Sequence, residues 1–102
     1  MSDFVTVADI DQIPEGSAMK VIVDGTPLAL VHTEGQIFAV SDVCTHAEVS
    51  LSEGDVDGCE IECWLHGARF DLRTGKPSGP PATKPLNTYD VKLEGGSVLV
   101  RL

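Results

Sequence analysis

The sequence predicts an all-β fold, an antiparallel sandwich or barrel. Its apolar residues come in short runs of strand length, such as residues 28–31, and glycine-containing turn sequences separate the runs. An Asp-Gly pair between two apolar runs is a strong hairpin signal. The sequence shows no long stretch with the apolar periodicity of a helix. Strands without long helices bury their apolar faces by forming a sandwich or a barrel.

The first part of the chain predicts two consecutive hairpins. The predicted strands are residues 4–7, 21–23, 28–32 and 37–40. The turn pairs Asp24-Gly25 and Glu34-Gly35 connect the last three of these strands. Residues 9–13 form one helical turn that ends before the break at residues 14–16.

The remaining residues predict a long loop, a short strand and a closing hairpin. Residues 41–56 have no sustained periodicity, and the strand at 59–64 follows a turn at Asp57-Gly58. After a turn at 74–77, the segment 78–85 is too rich in proline for a helix or a central strand. The closing hairpin pairs residues 89–93 with 98–102. We therefore expect one domain, 1–102, with a base of residues 1–40 and 87–102 and an insertion of residues 41–86.

Composition limits the cellular setting. With 102 residues, 42% of them hydrophobic, the chain has the size and composition of one globular domain. Its apolar runs are too short to span a bilayer. The first ten residues have no basic start and no apolar core, so we expect no export signal and a cytoplasmic location. We also expect a monomer.

The charge is strongly negative and unevenly distributed. The net charge of −9 disfavours nucleic acid and anionic membrane as partners, because both would repel the protein. Residues 21–68 contain nine acidic residues and no Lys or Arg. This pattern is consistent with an ordinary solvated surface and equally with electrostatic steering toward a basic patch on a protein partner.

Two short motifs combine cysteine with histidine. Cys44-Thr45-His46 and Cys63-Trp64-Leu65-His66 are separated by sixteen residues. The three cysteines are an odd number, which argues against a disulfide framework and favours metal binding in a reducing compartment. Two cysteines and two histidines have the right donors for tetrahedral zinc. One cysteine and one histidine in each loop also suits a two-iron cluster, because each loop then supplies one ligand to each iron.

This spacing, C-x-H followed by C-x2-H, resembles that of the Rieske proteins, and the resemblance covers nearly the whole chain. It implies one [2Fe–2S] cluster per chain and a Rieske-like fold in which the insertion binds the cluster. By the same resemblance, Cys44 and Cys63 would bind one iron, and His46 and His66 the other. Two bridging sulfides would complete the cluster.

Other residues in and near the motifs have simpler interpretations. We expect His32 to be a structural histidine, and Cys59, which shares the strand parity of Ile61, to be a packed free thiol. The missing side chain of Gly67 would let backbone N–H groups approach sulfur. Residues 79–81, Gly-Pro-Pro, match the loop that covers the cluster in the family.

The sequence also departs from the respiratory, high-potential branch of the family. That branch has an extra cysteine in each ligand loop, where this chain has Val49 and Leu65. It also has a serine and a tyrosine that donate hydrogen bonds to sulfur, where this chain has Ala68 and Phe70. Because neither replacement can donate, we expect a reduction potential near the low end of the Rieske range, on the order of −150 mV.

The resemblance implies an electron carrier. Soluble Rieske ferredoxins of this size pass single electrons from a flavin-dependent reductase to the terminal oxygenase of aromatic-ring dioxygenase systems. The chain has no GxGxxG nucleotide motif and no second iron-ligand set, so we expect a carrier without catalysis of its own. His46 and His66 would form the docking tip. Two alternatives are an accessory Rieske protein of another pathway, such as iron–sulfur assembly, and a structural zinc module that binds protein.

Overall fold

The structure is a computed structural model that describes residues 4–43, 50–63, 69–78 and 85–101. Its fold consists of antiparallel strands. Within these ranges there are nine strands and two short 3₁₀ turns, Ile10–Gln12 and Leu51–Glu53, and no α-helix. The strands are β1 (Val5–Asp9), β2 (Ser17–Val23), β3 (Thr26–Thr33), β4 (Gln36–Ser41), β5 (Asp55–Asp57), β6 (Glu60–Glu62), β7 (Arg69–Asp71), β8 (Thr88–Glu94) and β9 (Ser97–Arg101).

The strands form one large and one small sheet. The large sheet has six strands in the order β1-β9-β8-β4-β3-β2, and the small sheet has three in the order β5-β6-β7. Every pairing of neighbouring strands is antiparallel. The prediction of an all-β antiparallel fold is therefore confirmed.

Two-residue turns with positive φ connect the hairpins of the large sheet. Asp24-Gly25 joins β2 to β3 with φ values of 49° and 79°, and Glu34-Gly35 joins β3 to β4 with 52° and 73°. Gly95-Gly96 joins β8 to β9 in the same way. Two successive positive φ values match the right-handed twist of paired strands, so these turns set the register of each hairpin.

Strand β3 is buried on both faces and separates two apolar clusters. Leu28 and Leu30 pack into a cluster that also contains side chains from the two edge strands of the large sheet, Ala8 of β1 and Val23 of β2. Because both edges contribute to one cluster, the large sheet curls around it. The residues between, Ala29 and Val31, face the small sheet. This explains why the sequence of β3 is a continuous apolar run instead of an alternating one.

The second cluster joins the large sheet to the small one. Its buried members are Ala29, Val31, Val40, Leu51, Ile61, Cys63, Phe70, Leu72 and Leu86. One inward-facing row of the small sheet, Val56–Ile61–Phe70, contributes to it. The small sheet therefore has one apolar face against the large sheet and one face directed outward.

Three elements differ most from the sequence prediction, and the strand predicted at 59–64 is also shorter, Glu60–Glu62. Strand β2 begins at Ser17 instead of residue 21, because its first residues pair with the end of β3 from Ser17↔His32 onward despite weak strand propensity. Strand β5 lies inside the predicted loop 41–56 and extends to Asp57. Strand β7 was missed, because a three-residue strand with one apolar side chain shows no periodicity.

The order of the strands bears on the proposed division of the chain. The large sheet takes its strands from residues 5–41 and 88–101, and the small sheet takes its strands from residues 55–71. The division into a base and an insertion stays a prediction. In the described part of the chain, no helix is long and apolar enough to cross a membrane.

Candidate metal centre

Cys63 lies immediately after β6 and is fully buried. Its accessible fraction is 0%, and its neighbours in the second cluster include Ile61, Phe70 and Leu51. A thiol in apolar surroundings is shielded from solvent, which suits a sulfur that binds iron. Of the four predicted ligands, Cys63 is the one among the described residues; Cys44, His46 and His66 lie outside them.

Two paired strands flank residues 63–68, and the pair of residues at their ends, Glu62 and Arg69, is the stem of this segment. Glu62, the last residue of β6, pairs with Arg69, the first residue of β7. On its other side Glu62 pairs with Asp55 of β5. Gly54, the residue before β5, lies so close to Glu62 that a Cβ atom at position 54 would be 1.8 Å from the Glu62 carbonyl oxygen. The backbone before Cys63 is therefore held on both sides.

The segment that contains Cys44 and His46 also has a fixed stem. Val43 and Ser50 form an isolated β-bridge, and the Leu51 N–H donates to the Asp42 carbonyl at 2.7 Å. The Asp42 carboxylate is 1% exposed and accepts a hydrogen bond from the Ser52 N–H at 2.8 Å. The chain on either side of residues 44–49 is thus paired next to Leu51, which belongs to the second cluster together with Cys63.

The third segment, residues 79–84, connects to the same small sheet. The N–H of Ser78 donates to the carbonyl of Arg69 at 2.9 Å, and the N–H of Leu86 donates to the carbonyl of Gly75 at 2.7 Å. Phe70 and Pro77 form an isolated bridge. The prolines predicted to cover the cluster lie outside the described residues, but the chain before them leaves from the stem of the Cys63 segment.

His32 is a structural residue in the described fold. Its Nδ1 lies 2.7 Å from the carbonyl oxygen of Ile13, and its Nε2 lies 2.9 Å from Glu15 Oε2. Glu15 in turn accepts a hydrogen bond from the Gly35 N–H at 3.0 Å. His32 thus joins the turn before β2 to the turn after β3, as expected for a histidine with no ligand role.

The expected environment of Cys59 was wrong. It lies in the turn between β5 and β6, not in a strand, and its side chain is partly exposed. The thiol donates a hydrogen bond to Glu34 Oε1 at 2.9 Å, which raises the pKa of the thiol because only the protonated sulfur can donate. The prediction from strand parity was wrong because the turn begins at Gly58, one residue later than predicted, so that Cys59 lies in the turn.

No group of three or more His, Cys, Asp or Glu side chains in the described ranges converges as a metal site. The described donor and its surroundings nevertheless fit an iron–sulfur cluster. The thiol of Cys63 is buried directly after the Glu62–Arg69 stem. Its apolar cluster also contains Leu51, which follows the Val43–Ser50 bridge that closes residues 44–49.

Comparison with known proteins decides the family. The profile of the Rieske [2Fe-2S] domain matches residues 3–90. The chain belongs to the Rieske [2Fe-2S] domain family. The cofactor predicted from the CTH and CWLH motifs is therefore the family's [2Fe–2S] cluster.

Relatives of this Rieske chain are ferredoxins of dioxygenase systems. It is 42% identical over 100 residues to the ferredoxin component of naphthalene 1,2-dioxygenase/salicylate 5-hydroxylase systems of Ralstonia sp., covering 98% of this chain and 96% of that protein. It is 43% identical over 98 residues to the biphenyl dioxygenase ferredoxin subunit of Pseudomonas sp. strain KKS102, covering 95% and 90%.

Solved structures of ferredoxins are also similar to this chain. The ferredoxin of carbazole 1,9a-dioxygenase from Nocardioides aromaticivorans superposes on the Rieske chain with a TM-score of 0.91 at 39% identity, covering 95% of each chain. A complex of reduced oxygenase and oxidized ferredoxin in carbazole 1,9a-dioxygenase contains a chain with a TM-score of 0.90 at 37% identity, covering 96% of this chain and 92% of that one.

Sequence reasoning missed several residues that shape the site of this Rieske chain. Gly54 and Asp42 are not among the predicted ligands, and their roles depend on a carbonyl and an N–H from other segments. Arg69 also received no role from the sequence, although it pairs with Glu62 at the stem of the Cys63 segment. The one local signal was its position as the first cation after a long acidic stretch.

Proposed function

We propose that this Rieske chain is the ferredoxin component of a multicomponent oxygenase system, which receives single electrons from a reductase and delivers them to a terminal oxygenase. The observation that carries the proposal is the placement of Cys63, buried and at a fixed stem, in a chain of the Rieske family. Ferredoxin components of dioxygenase systems at 42–43% identity over most of the chain support it.

The proposed ligand set is Cys44 and Cys63 on one iron and His46 and His66 on the other. The bound cluster supplies a site that gains and loses one electron. The chain's own contribution is to exclude water from the thiolate side, since Cys63 lies among buried apolar side chains. The pairings Val43↔Ser50 and Glu62↔Arg69 fix the chain ends from which the two ligand-bearing segments leave the described fold.

The proposed acceptor is a terminal oxygenase, and the proposed donor is a flavin-dependent reductase. A complex of oxygenase and ferredoxin is known for the carbazole 1,9a-dioxygenase relative, which supports the acceptor. The names of the curated relatives describe components of systems, in which a carrier needs an electron donor as well. His46 and His66 form the proposed docking tip and would hold the iron that exchanges electrons with the partner protein.

The proposed carrier works at a low reduction potential. Phe70 is fully buried in the same cluster as Cys63, and its ring has no group that donates a hydrogen bond to sulfur. A reduced cluster is more negative than an oxidised one, so missing donors leave it less stabilised. A potential on the order of −150 mV follows.

An EPR spectrum of the protein as isolated and after dithionite, with iron, zinc and sulfide assays on the same sample, tests the proposal. We expect two irons and two sulfides per chain and a signal that appears on reduction, with an average g value below that of the free electron. A reduced sample should then pass its electron to an oxygenase of the dioxygenase class in a stopped-flow experiment. A colourless protein that contains zinc would contradict the proposed function.

A further inference from the structure

The outward face of the small sheet is a regular array of carboxylates interrupted by one cation. The strand register aligns its outward residues in two rows, and the inward row Val56–Ile61–Phe70 lies between them. The outward rows are Asp55–Glu62–Arg69 and Asp57–Glu60–Asp71. Like charges directly opposite each other on neighbouring strands repel. Among these six aligned residues, Arg69 alone is positive.

Arg69 makes ionic contacts with three of these carboxylates. Its Nε donates to Glu62 Oε2 at 3.1 Å. Its Nη1 lies 3.8 Å from both Asp57 Oδ2 and Glu60 Oε1. The hydrogen bond to Glu62, followed by the attraction of the neighbouring acids, raises the pKa of the guanidinium, so the positive charge is permanent. One side chain thus spans all three strands of the sheet.

The same residue is next to the metal centre in the fold. Its backbone pairs with Glu62, whose successor in the chain is Cys63. Its carbonyl accepts hydrogen bonds from the N–H and the hydroxyl of Ser78, at 2.9 and 3.3 Å. The guanidinium and Glu62 therefore stand beside the stem of the Cys63 segment, whereas Asp57 and Glu60 lie toward the opposite end of the small sheet.

We propose that Arg69 is a positioning residue for electron transfer, whose charge offsets the carboxylates of the small sheet and makes the cluster easier to reduce. Reduction adds a negative charge next to a face that already carries five carboxylates in register. Each carboxylate opposes that charge, and a guanidinium held among them by three contacts favours it. This inference rests on the proposed function, because it requires a cluster bound through Cys63.

The size of the effect follows from the exposure of the residue. The Arg69 side chain is 47% exposed, so water and salt screen its charge. A partly screened charge of this kind should change the ratio of reduced to oxidised protein, at fixed applied potential, by roughly twofold to tenfold. The shift should shrink as the ionic strength rises.

The test compares Arg69→Gln with Arg69→Lys in the cluster-loaded protein, by spectroelectrochemical titration at low and high salt. Arg101→Gln is the matched control: Arg101 is also paired with one carboxylate, Asp90, and its side chain is 44% exposed, but it lies on β9 of the large sheet. Both glutamine variants lower the net charge by the same amount. Glu62→Gln removes the carboxylate that Arg69 contacts most closely.

We expect Arg69→Gln to lower the reduction potential, Arg69→Lys to restore most of it, and Arg101→Gln to leave it near the wild-type value. Glu62→Gln should raise it, because this variant removes one opposing carboxylate. If Arg69→Gln does not fold, Arg69→Met, which keeps the aliphatic part of the side chain without the charge, decides the question by the same fall in potential. A normal cluster in the wild type with equal potentials in the Arg69→Gln and Arg101→Gln variants would overturn the role of Arg69 alone. A wild-type protein without an iron–sulfur signal would overturn the proposed function and this inference with it.

Discussion

Thr33 and Gly58 join the two sheets through one hydrogen bond. The Thr33 hydroxyl, at the end of β3, donates to the carbonyl oxygen of Gly58 in the β5–β6 turn at 2.7 Å. The adjacent residues repeat the connection, because Glu34 accepts the thiol hydrogen of Cys59. The end of the small sheet opposite Cys63 is therefore fixed to the large sheet by polar contacts, whereas the apolar cluster holds the rest.

Replacing Thr33 by Val tests the first of these contacts. Thr33 is 5% exposed, so the change removes the hydroxyl while the shape stays nearly constant. Loss of the bond should lower the free energy of unfolding by about 1 kcal/mol. Urea denaturation measures this, with the exposed Thr6→Val on β1 as the matched control, for which we expect a change within about 0.5 kcal/mol. Equal stability of the two variants would contradict the role of the bond.

Cys59 should react slowly for a partly exposed cysteine. Glu34 raises the pKa of its thiol, so the thiolate that attacks iodoacetamide is scarce near pH 8. Because the folded protein holds this proton more tightly than the unfolded chain, the contact stabilises the fold below the pKa of an unfolded cysteine. That stabilisation disappears as the pH rises through the higher pKa of the folded state.

Glu34→Gln should therefore accelerate alkylation of Cys59, measured by mass spectrometry of the peptide that contains it. Residue 34 has a φ of 52°, and glutamine meets the same backbone cost as glutamate, so the comparison isolates the charge. The exposed Glu53→Gln serves as the control. Equal alkylation rates in the wild type and in Glu34→Gln would show that the carboxylate does not protect the thiol.

Gly54→Ala should destabilise the protein and disturb the metal centre together. The added Cβ would meet the Glu62 carbonyl at 1.8 Å, and the backbone that would have to move leads directly to Cys63. Overpacking of this kind costs about 1–3 kcal/mol. We expect a lower denaturation midpoint and less iron per chain. Gly16→Ala is the comparison, because its Cβ meets nothing within 4 Å and its cost comes from a φ of +84° alone. A normal iron content in Gly54→Ala would contradict the prediction.

Phe70→Tyr should raise the reduction potential. The family's high-potential branch has a tyrosine at this position, and Phe70 is buried in the cluster that contains Cys63. A hydroxyl that donates to sulfur stabilises the reduced form, and each tenfold gain in that stabilisation raises a one-electron potential by about 59 mV. Redox titration gives the value, with Phe38→Tyr on β4 as the control. An unchanged potential in a folded, loaded Phe70→Tyr would disprove this explanation of the low potential.

His46→Ala should abolish the normal visible spectrum, whereas His32→Ala should keep it. His46 is a proposed ligand, and the ring nitrogens of His32 are both engaged with Ile13 and Glu15. We expect His32→Ala to lower stability while iron content and spectrum stay the same. Absorption spectra and iron assays of the two variants decide this. An intact spectrum in His46→Ala would remove His46 from the ligand set.

Much of the fold could be predicted from local pattern. The pairs Asp24-Gly25 and Glu34-Gly35 predicted two-residue turns, and the structure has positive φ at all four positions. The CTH and CWLH motifs predicted the cofactor of the family, because the types and spacing of donor side chains are local properties of the chain. Short elements such as β7 could not be predicted in this way, because a strand with one apolar residue shows no alternating pattern.

The sequence by itself determined the two-residue turns and most of the strands of the large sheet, and it predicted the donor set, because each depends on neighbours a few residues apart. Tertiary structure alone decided which faces are buried and which charges meet. The burial of β3 on both sides, the distance from Cys59 to Glu34 and the alignment of Arg69 with Glu62 all follow from the pairing and packing of distant segments. A one-residue slip in that pairing would turn Arg69 inward, and local sequence does not encode the register between separate strands.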